Sequence, residues 1–125
     1  MNLLLDTHIL LWWLSDDSRL AGRARKAIEN SNLTFVSAAS AWAIGIKSAL
    51  KKLDFRGELE SQLALNDFLP LPMSMAHAIA ASRLPLHHGD PFDRMLVAQA
   101  SLESLVLLTA DERLKRYDAR IMLAT

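Results

Sequence analysis

Short apolar runs alternate with longer amphipathic segments along this chain. The runs at 2–5, 33–36, 105–108 and 121–123 have the length of strands. Leu69-Pro-Leu-Pro is too rich in proline for a sheet interior and predicts a short or edge strand. Helical patterns lie between, at 7–14, 19–29, 37–52, 57–68, 74–83 and 90–103, with a short helix after Thr109. Such alternation predicts an α/β domain with a mostly parallel central sheet flanked by helices.

The composition limits the classes of function. The 125 residues have the length of one domain, 1–125, and 51% are apolar, enough for a core. Fourteen basic residues balance fourteen acidic ones, so a nucleic-acid partner would need a local patch or a metal site. The absence of cysteine excludes disulfides and zinc–thiolate sites. We expect a cytoplasmic protein with no membrane partner, because the sequence shows no signal-peptide pattern and no apolar stretch of membrane-spanning length.

Acidic residues follow the predicted strands. Asp6 comes directly after the first strand, Asp111 comes just past the strand at 105–108, and Asp90 and Asp93 open a long helix. Parallel sheets bind ligands at the carboxyl ends of their strands, so these acids could face one crevice. Converging carboxylates repel one another unless a hard cation neutralises them, and Mg²⁺ or Mn²⁺ suits an oxygen donor set. Such a site is suited to phosphodiester hydrolysis.

Each acid also has a purely structural explanation. Asp90-Pro-Phe-Asp93 is nearly an ideal helix opening, and Thr109-Ala-Asp-Glu112 has the pattern of a capping box. Asp6 could cap the first helix. Taken singly, capping is the favoured explanation of each acid, and only their joint placement argues for a site.

Four segments occur in order and at fitting intervals: Leu-Leu-Leu-Asp6-Thr-His, Ser37-Ala-Ala-Ser-Ala-Trp42-Ala-Ile-Gly-Ile-Lys47, His88-Gly-Asp-Pro-Phe-Asp93-Arg-Met-Leu-Val-Ala-Gln-Ala100 and Leu108-Thr-Ala-Asp111. Together they resemble the PIN-domain ribonucleases, specifically the VapC-like toxins of type II toxin–antitoxin systems. The resemblance implies a three-layer PIN-like α/β fold, Mg²⁺- or Mn²⁺-dependent cleavage of RNA, inhibition by a cognate antitoxin, and homodimers. Transfer RNA is one structured RNA that it suggests as substrate.

The resemblance assigns the catalytic acids to Asp6, Asp93 and Asp111, with Asp6 and Asp93 as the expected metal ligands and Asp90 as a supporting acid. The family has Glu after the tryptophan of its helix motif, where this chain has Ala43. Alanine cannot coordinate a metal or orient water. Losses around a metal site typically cost about 10–100-fold, and the loss of a core acid should cost at least that much. An attenuated enzyme, altered so that a toxic protein can be expressed, and a naturally inactive relative both fit the sequence.

Other residues are candidates for secondary roles. Thr7 and Ser37 could orient a carboxylate or bind phosphate, and they work equally well as caps. Lys47 is the residue expected to contact RNA, within a basic stretch that continues to Arg56, although a solvated helix face explains that stretch as well. A transition-metal site at His87 and His88 is disfavoured, because adjacent loop histidines do not easily face one ion. The tryptophans, which could stack on bases, are favoured as core or dimer contacts: Trp12, Trp13 and Trp42.

Two other classes of function are alternatives to a ribonuclease. Phosphotransfer domains of the haloacid-dehalogenase or receiver type also place an aspartate after the first strand. The former needs a second Asp where this chain has His8, and the latter needs paired acids and an acceptor Asp that the sequence lacks. A non-catalytic module that retains the fold and binds an antitoxin or RNA is the stronger alternative, and RNA turnover would distinguish it.

Overall fold

Five strands form one parallel sheet in the computed structural model, which describes residues 1–124 and leaves Thr125 of the expected domain outside. The strands are β1 (Asn2–Leu5), β2 (Leu33–Ser37), β3 (Leu69–Leu71), β4 (Val106–Thr109) and β5 (Ile121–Leu123). Their order is β3-β2-β1-β4-β5, and every neighbouring pair is parallel. The predicted α/β fold with a mostly parallel sheet is confirmed. The proline-containing β3 lies at an edge, where a missing N–H is tolerated.

Six helices flank this sheet: α1 (Thr7–Leu14), α2 (Gly22–Asn30), α3 (Ala38–Ala49), α4 (Leu59–Leu65), α5 (Met75–Arg83) and α6 (Pro91–Leu102). The short helix predicted after Thr109 is a 3₁₀ helix at Glu112–Arg116. The helix expected to reach Lys52 ends at Ala49, because Lys51 adopts a left-handed φ of 59°. No helix among residues 1–124 is long and apolar enough to cross a bilayer.

The leucines of β1 divide the core between the two faces of the sheet. Leu3 and Leu5 belong to one buried cluster, together with Ile9 of α1. Leu4 belongs to a second cluster, which includes Leu96 of α6. Successive side chains of a strand point to opposite faces, so the sheet is the middle layer between two layers of helices. The expected three-layer arrangement is therefore confirmed.

The carboxyl ends of β1 and β4 lie side by side at the centre of the sheet. Leu5 pairs with Leu108 in the register, and the Asp6 N–H donates to the Leu108 carbonyl at 3.0 Å. The residues that follow these two strands are therefore neighbours, although about a hundred positions separate them in the sequence. This edge carries the predicted acidic residues.

Candidate functional site

Asp6 caps α1 at the carboxyl end of β1 and is only 4% exposed. Its Oδ1 accepts the His8 N–H at 2.9 Å, and its Oδ2 accepts the Thr109 hydroxyl at 2.6 Å. The Thr109 hydroxyl oxygen also accepts the Asp111 N–H at 3.1 Å. Thr109 therefore joins the carboxylate of one acid to the backbone of another. Each Asp6 oxygen retains a second lone pair that a cation could use.

Asp90 and Asp93 lie at the N-terminus of α6. Asp90 caps the helix, and its Oδ1 accepts the N–H groups of Phe92 at 2.8 Å and Asp93 at 3.4 Å. Asp93 is half-buried in the first turn. Burial raises the pKa of the Asp93 carboxyl to about 7, with further contributions from the charges of Asp6 and Asp90. Asp93 therefore lies where negative charge is concentrated and poorly solvated.

Asp111 caps the 3₁₀ helix that follows β4. Its Oδ1 accepts the Arg113 N–H at 3.0 Å, and the Arg113 guanidinium donates to both of its oxygens, at 3.1 and 2.9 Å. These hydrogen bonds hold the pKa of Asp111 down at about 2. The capping box predicted to start at Thr109 is wrong, since Asp111 is the cap and the Thr109 hydroxyl is directed to Asp6.

His88 bridges the carboxylates of Asp93 and Asp111. Its Nε2 lies 2.8 Å from Asp111 Oδ2 and 3.3 Å from Asp93 Oδ2, and its Nδ1 accepts the Asp90 N–H at 3.0 Å. An accepting Nδ1 carries no proton, so the proton of the neutral ring is on Nε2. In this arrangement the buried ring donates a hydrogen bond to the acids.

Arg94 holds the loop that carries His88. Its guanidinium donates to carbonyl oxygens of the preceding helix and loop, namely those of Ala81, Leu84, Pro85 and His88. The Tyr117 hydroxyl accepts the His88 N–H at 3.0 Å. His88, Arg94 and Thr109 were not predicted as site residues. All three lie within the four motif segments, and that location was the one signal in the sequence that could have indicated them.

The α3 side of the site carries hydroxyl and methyl groups. Thr7 donates from its hydroxyl to Ser40 at 2.9 Å, and both residues are buried. Ser37 caps α3 by accepting the Ala39 N–H at 2.9 Å. Ala43, which is 4% exposed, lies one turn beyond Ser40 on the same helix face. Ser40, which was not predicted as a site residue, therefore joins α1 to the helix face that carries Ala43.

The remaining candidates lie around this centre. His87 is exposed with its ring edge-on to Tyr117 at 5.1 Å, whereas His88 is buried among the acids. Lys47 is half-buried and lines a groove beside α1. Trp42 is 60% exposed and packs edge-on against Phe92 at 5.3 Å, so it is not a core residue.

The other two tryptophans, Trp12 and Trp13, are half-buried against the core as expected.

The donor set of the site fits a hard divalent cation. Within residues 1–124, ligand atoms of His88, Asp93 and Asp111 all lie within 4.8 Å of one another. Asp6 is outside that group of three, yet its charge acts on Asp93. Since His88 presents a proton, the atoms available to a cation are carboxylate oxygens. Mg²⁺ and Mn²⁺ prefer such oxygens.

Comparison with known proteins identifies the family. The PIN domain family matches residues 3–120. The chain is 30% identical over 123 residues to Ribonuclease VapC22 of Mycobacterium tuberculosis, covering 93% of this chain and 92% of that protein. The fold is similar to that of VapBC2 from Rickettsia felis bound to a promoter DNA fragment, with a TM-score of 0.73, 14% identity and full coverage of both chains. A toxin–antitoxin complex from Klebsiella pneumoniae gives a TM-score of 0.69 at 20% identity, covering 98% of this chain and 97% of that one. The chain therefore belongs to the PIN-domain family, and within it to the VapC-like proteins that its motifs predicted.

Proposed function

We propose that this chain is a Mg²⁺- or Mn²⁺-dependent endoribonuclease toxin of a toxin–antitoxin pair, attenuated because Ala43 replaces a catalytic glutamate. One observation carries the proposal. Asp93 and Asp111 converge on His88 while Asp6 and Asp90 add their charges, and the pKa of Asp93 rises to about 7. Carboxylates crowded at one buried sheet edge favour a divalent cation, and hydrolysis of a phosphodiester is the chemistry such a site serves.

Asp6 and Asp93 would hold the ion, with Asp111 beside them. When bound, a divalent ion would activate water and neutralise charge on the phosphate. The chain's own residues fix the positions of the acids. The Thr109 hydroxyl orients Asp6, and the His88 Nε2–H and the Arg113 guanidinium orient Asp111.

The residues around the acids have supporting roles. Asp90 fixes the first turn of α6, and Thr7 holds α1 against α3 through Ser40. Ser37 supports the site by starting α3 at the end of β2. Lys47 would contact RNA phosphate.

The partners proposed for the chain are RNA, with transfer RNA as one candidate, a cognate antitoxin and a second copy of the chain. The antitoxin is supported by the structures of toxin–antitoxin complexes that share the fold. The ribonuclease activity is supported by the similarity to Ribonuclease VapC22.

A second function is favoured by Ala43 itself. This methyl group is buried where the family has a carboxylate, so the chain could retain the fold and bind an antitoxin or RNA without cutting RNA. Metal binding does not separate the two functions, because the remaining acids can still hold an ion.

Cleavage of a labelled pool of structured RNAs with Mg²⁺ or Mn²⁺ tests the proposal. The proteins to compare are this chain, Ala43→Glu, Ala43→Gln and Ala43→Glu with Asp6→Asn. We expect Ala43→Glu to cut at least about 10–100-fold faster than this chain. The glutamine variant, equal in size and neutral, should remain slow, and the double variant should be inactive.

The outcomes separate the two functions. Metal-dependent cleavage that appears with Ala43→Glu and disappears with Asp6→Asn supports an attenuated ribonuclease. If all four proteins are folded and none cuts any RNA of the pool, the binding-module function replaces it.

A further inference from the structure

A groove of about 410 Å³ runs along α1, between that helix and the segment that connects α3 to α4. One end of the groove lies beside the acidic site. His8 lines the groove, donates its backbone N–H to Asp6 Oδ1, and places its ring Nδ1 3.8 Å from the same oxygen. Lys47, one turn beyond Ala43, lines the groove from α3. A substrate held in the groove would therefore extend directly into the site.

One wall of the groove is a series of planar side chains. The rings of His8 and Trp12, one helical turn apart on α1, have centroids 6.3 Å apart. The Arg19 guanidinium lies over the Trp12 ring at 5.1 Å from its centroid. The side chains at the two ends of this series, His8 and Arg19, are 61% and 68% exposed. Their free faces offer stacking surfaces to a nucleic-acid base.

The opposite wall is cationic. Four basic and two acidic side chains line the groove, and each acid is already paired, Asp17 with Arg19 at 2.7 Å and Asp54 with Arg56 at 3.2 Å. Within the part of the chain that the structure describes, Lys47 and Lys52 make no such ion pair. The groove therefore has a local excess of positive charge, although the whole chain is neutral.

We propose that this groove binds a single-stranded segment of the RNA substrate, with bases stacked on the planar wall and phosphates on the cationic wall. The inference rests on the proposed ribonuclease function. A groove with this combination of cations and stacking surfaces binds single strands, because every base has a stacking face and the backbone follows the charge. The volume of the groove suits a nucleotide-sized ligand. A duplex could not stack on the planar wall in this way, because its base faces are covered by the neighbouring base pairs.

Fluorescence anisotropy with a labelled oligouridine of about ten nucleotides tests the proposal. EDTA in the buffer removes divalent ions and prevents cleavage. The variants are Lys47→Gln with Lys52→Gln on the cationic wall, and His8→Leu, which removes one free ring face, on the planar wall. Arg23→Gln with Lys26→Gln is the matched control, because these exposed residues of α2 do not line the groove. Thermal unfolding establishes that each variant is folded.

The two walls should respond differently. Removing two phosphate contacts with the Lys47 and Lys52 changes should weaken binding about tenfold and flatten the slope of log K against log salt concentration by about 1.4. His8→Leu should weaken binding about 5- to 100-fold. The control pair should change binding by less than about twofold. If His8→Leu does not fold, the Lys47 and Lys52 pair still decides the result.

Three results would overturn the inference: unchanged binding in both groove variants, an equal loss in the control pair, or a duplex that binds as tightly as the single strand. Unchanged binding would indicate that the groove binds a protein partner and not RNA. A cleavage assay in the Ala43→Glu background with Mn²⁺ separates this inference from the proposed function. Equal cleavage with and without the groove changes refutes the groove alone, whereas lost binding without any cleavage refutes the ribonuclease alone.

Discussion

The α3 side and the α6 side of the acidic site face the same sheet edge and differ in charge. The α6 side, together with the end of β4, presents Asp90, Asp93 and Asp111 around His88. The α3 side presents the paired hydroxyls of Thr7 and Ser40, followed by the Ala43 methyl group, all of them buried. One side therefore has more negative charge than its burial favours, and the other side has none.

From this difference we expect Ala43 to affect stability and activity in opposite directions. On the proposed function, a glutamate at that position would supply the acid that the family has there, and it would bury a further carboxylate on α3, which packs against α6. Without a cation, that extra charge destabilises the fold. On the proposed function, alanine would remove this penalty together with the ligand, which is the usual trade between stability and an active site.

The largest expected effect comes from Asp93→Asn on the α6 side. A carboxyl pKa raised from 3.8 to about 7 means that the metal-free native state loses stability as pH rises from about 4 to about 7. The shift corresponds to at most about 4 kcal/mol, because solvent screens this partly exposed carboxylate. Asparagine does not ionise, so the variant should exceed the native chain in unfolding free energy by up to that amount at a pH of about 8.5, and by much less at a pH of about 5.

Urea unfolding in EDTA at both pH values measures this difference, with the exposed Asp118→Asn as the control acid. The charge crowding inferred for the α6 side is absent if Asp93→Asn shows the same stability difference at both pH values.

Asp111 has the opposite pH dependence. Its pKa of about 2 lies below the unfolded value, so its contribution is present above pH 3.8 and is lost as pH falls towards 2.

Much of the α6 side could be predicted from local sequence. An apolar run followed by an acid placed Asp6 and Asp111 at the ends of strands, and Asp90-Pro91 predicted the start of α6. These features depend on residues within a few positions of one another. The helix ends were predicted less well, because the left-handed backbone at Lys51 has no strong local signal in a lysine.

The long-range contacts of the site could not be predicted in this way. The Thr109 hydroxyl meets Asp6 across 103 positions because β1 and β4 are neighbours in the sheet, and strand order is a property of the whole fold. His88 reaches the acids because Arg94 ties the preceding loop to the start of α6. Neither contact has a periodic pattern in the sequence. The sequence therefore predicts the acids at the ends of strands and helices and leaves out the groups that orient them.

An intermediate effect is expected from Ala43→Glu on the α3 side. Without metal, the new buried carboxylate should lower the unfolding free energy by about 1–3 kcal/mol relative to this chain. Mn²⁺ at about one hundred times its dissociation constant should return about 2.7 kcal/mol. Thermal unfolding with EDTA and with Mn²⁺ measures both values. Ala43→Gln separates the effect of charge from the effect of size. If Ala43→Gln loses as much stability without metal as Ala43→Glu does, the loss comes from steric crowding and not from charge.

The smallest expected effect concerns His88, which lies between Asp93 and Asp111, two acids whose pKa values are shifted in opposite directions. Its Nδ1 accepts the Asp90 N–H, so the proton should be on Nε2 in the metal-free protein and should stay there when Mg²⁺ is added. Nitrogen-15 NMR of the imidazole rings reports the tautomer directly. His77 is an internal control, because its Nδ1 accepts the Ser74 N–H and its Nε2 faces Glu103 at 3.4 Å, just beyond the C-terminal end of α6. His88→Gln should weaken Mg²⁺ binding about tenfold through the orientation of Asp111, whereas His77→Gln should leave it unchanged. Loss of the Nε2 proton on addition of Mg²⁺ would instead make His88 a ligand, and the α6 side would then bind its ion through nitrogen as well as oxygen.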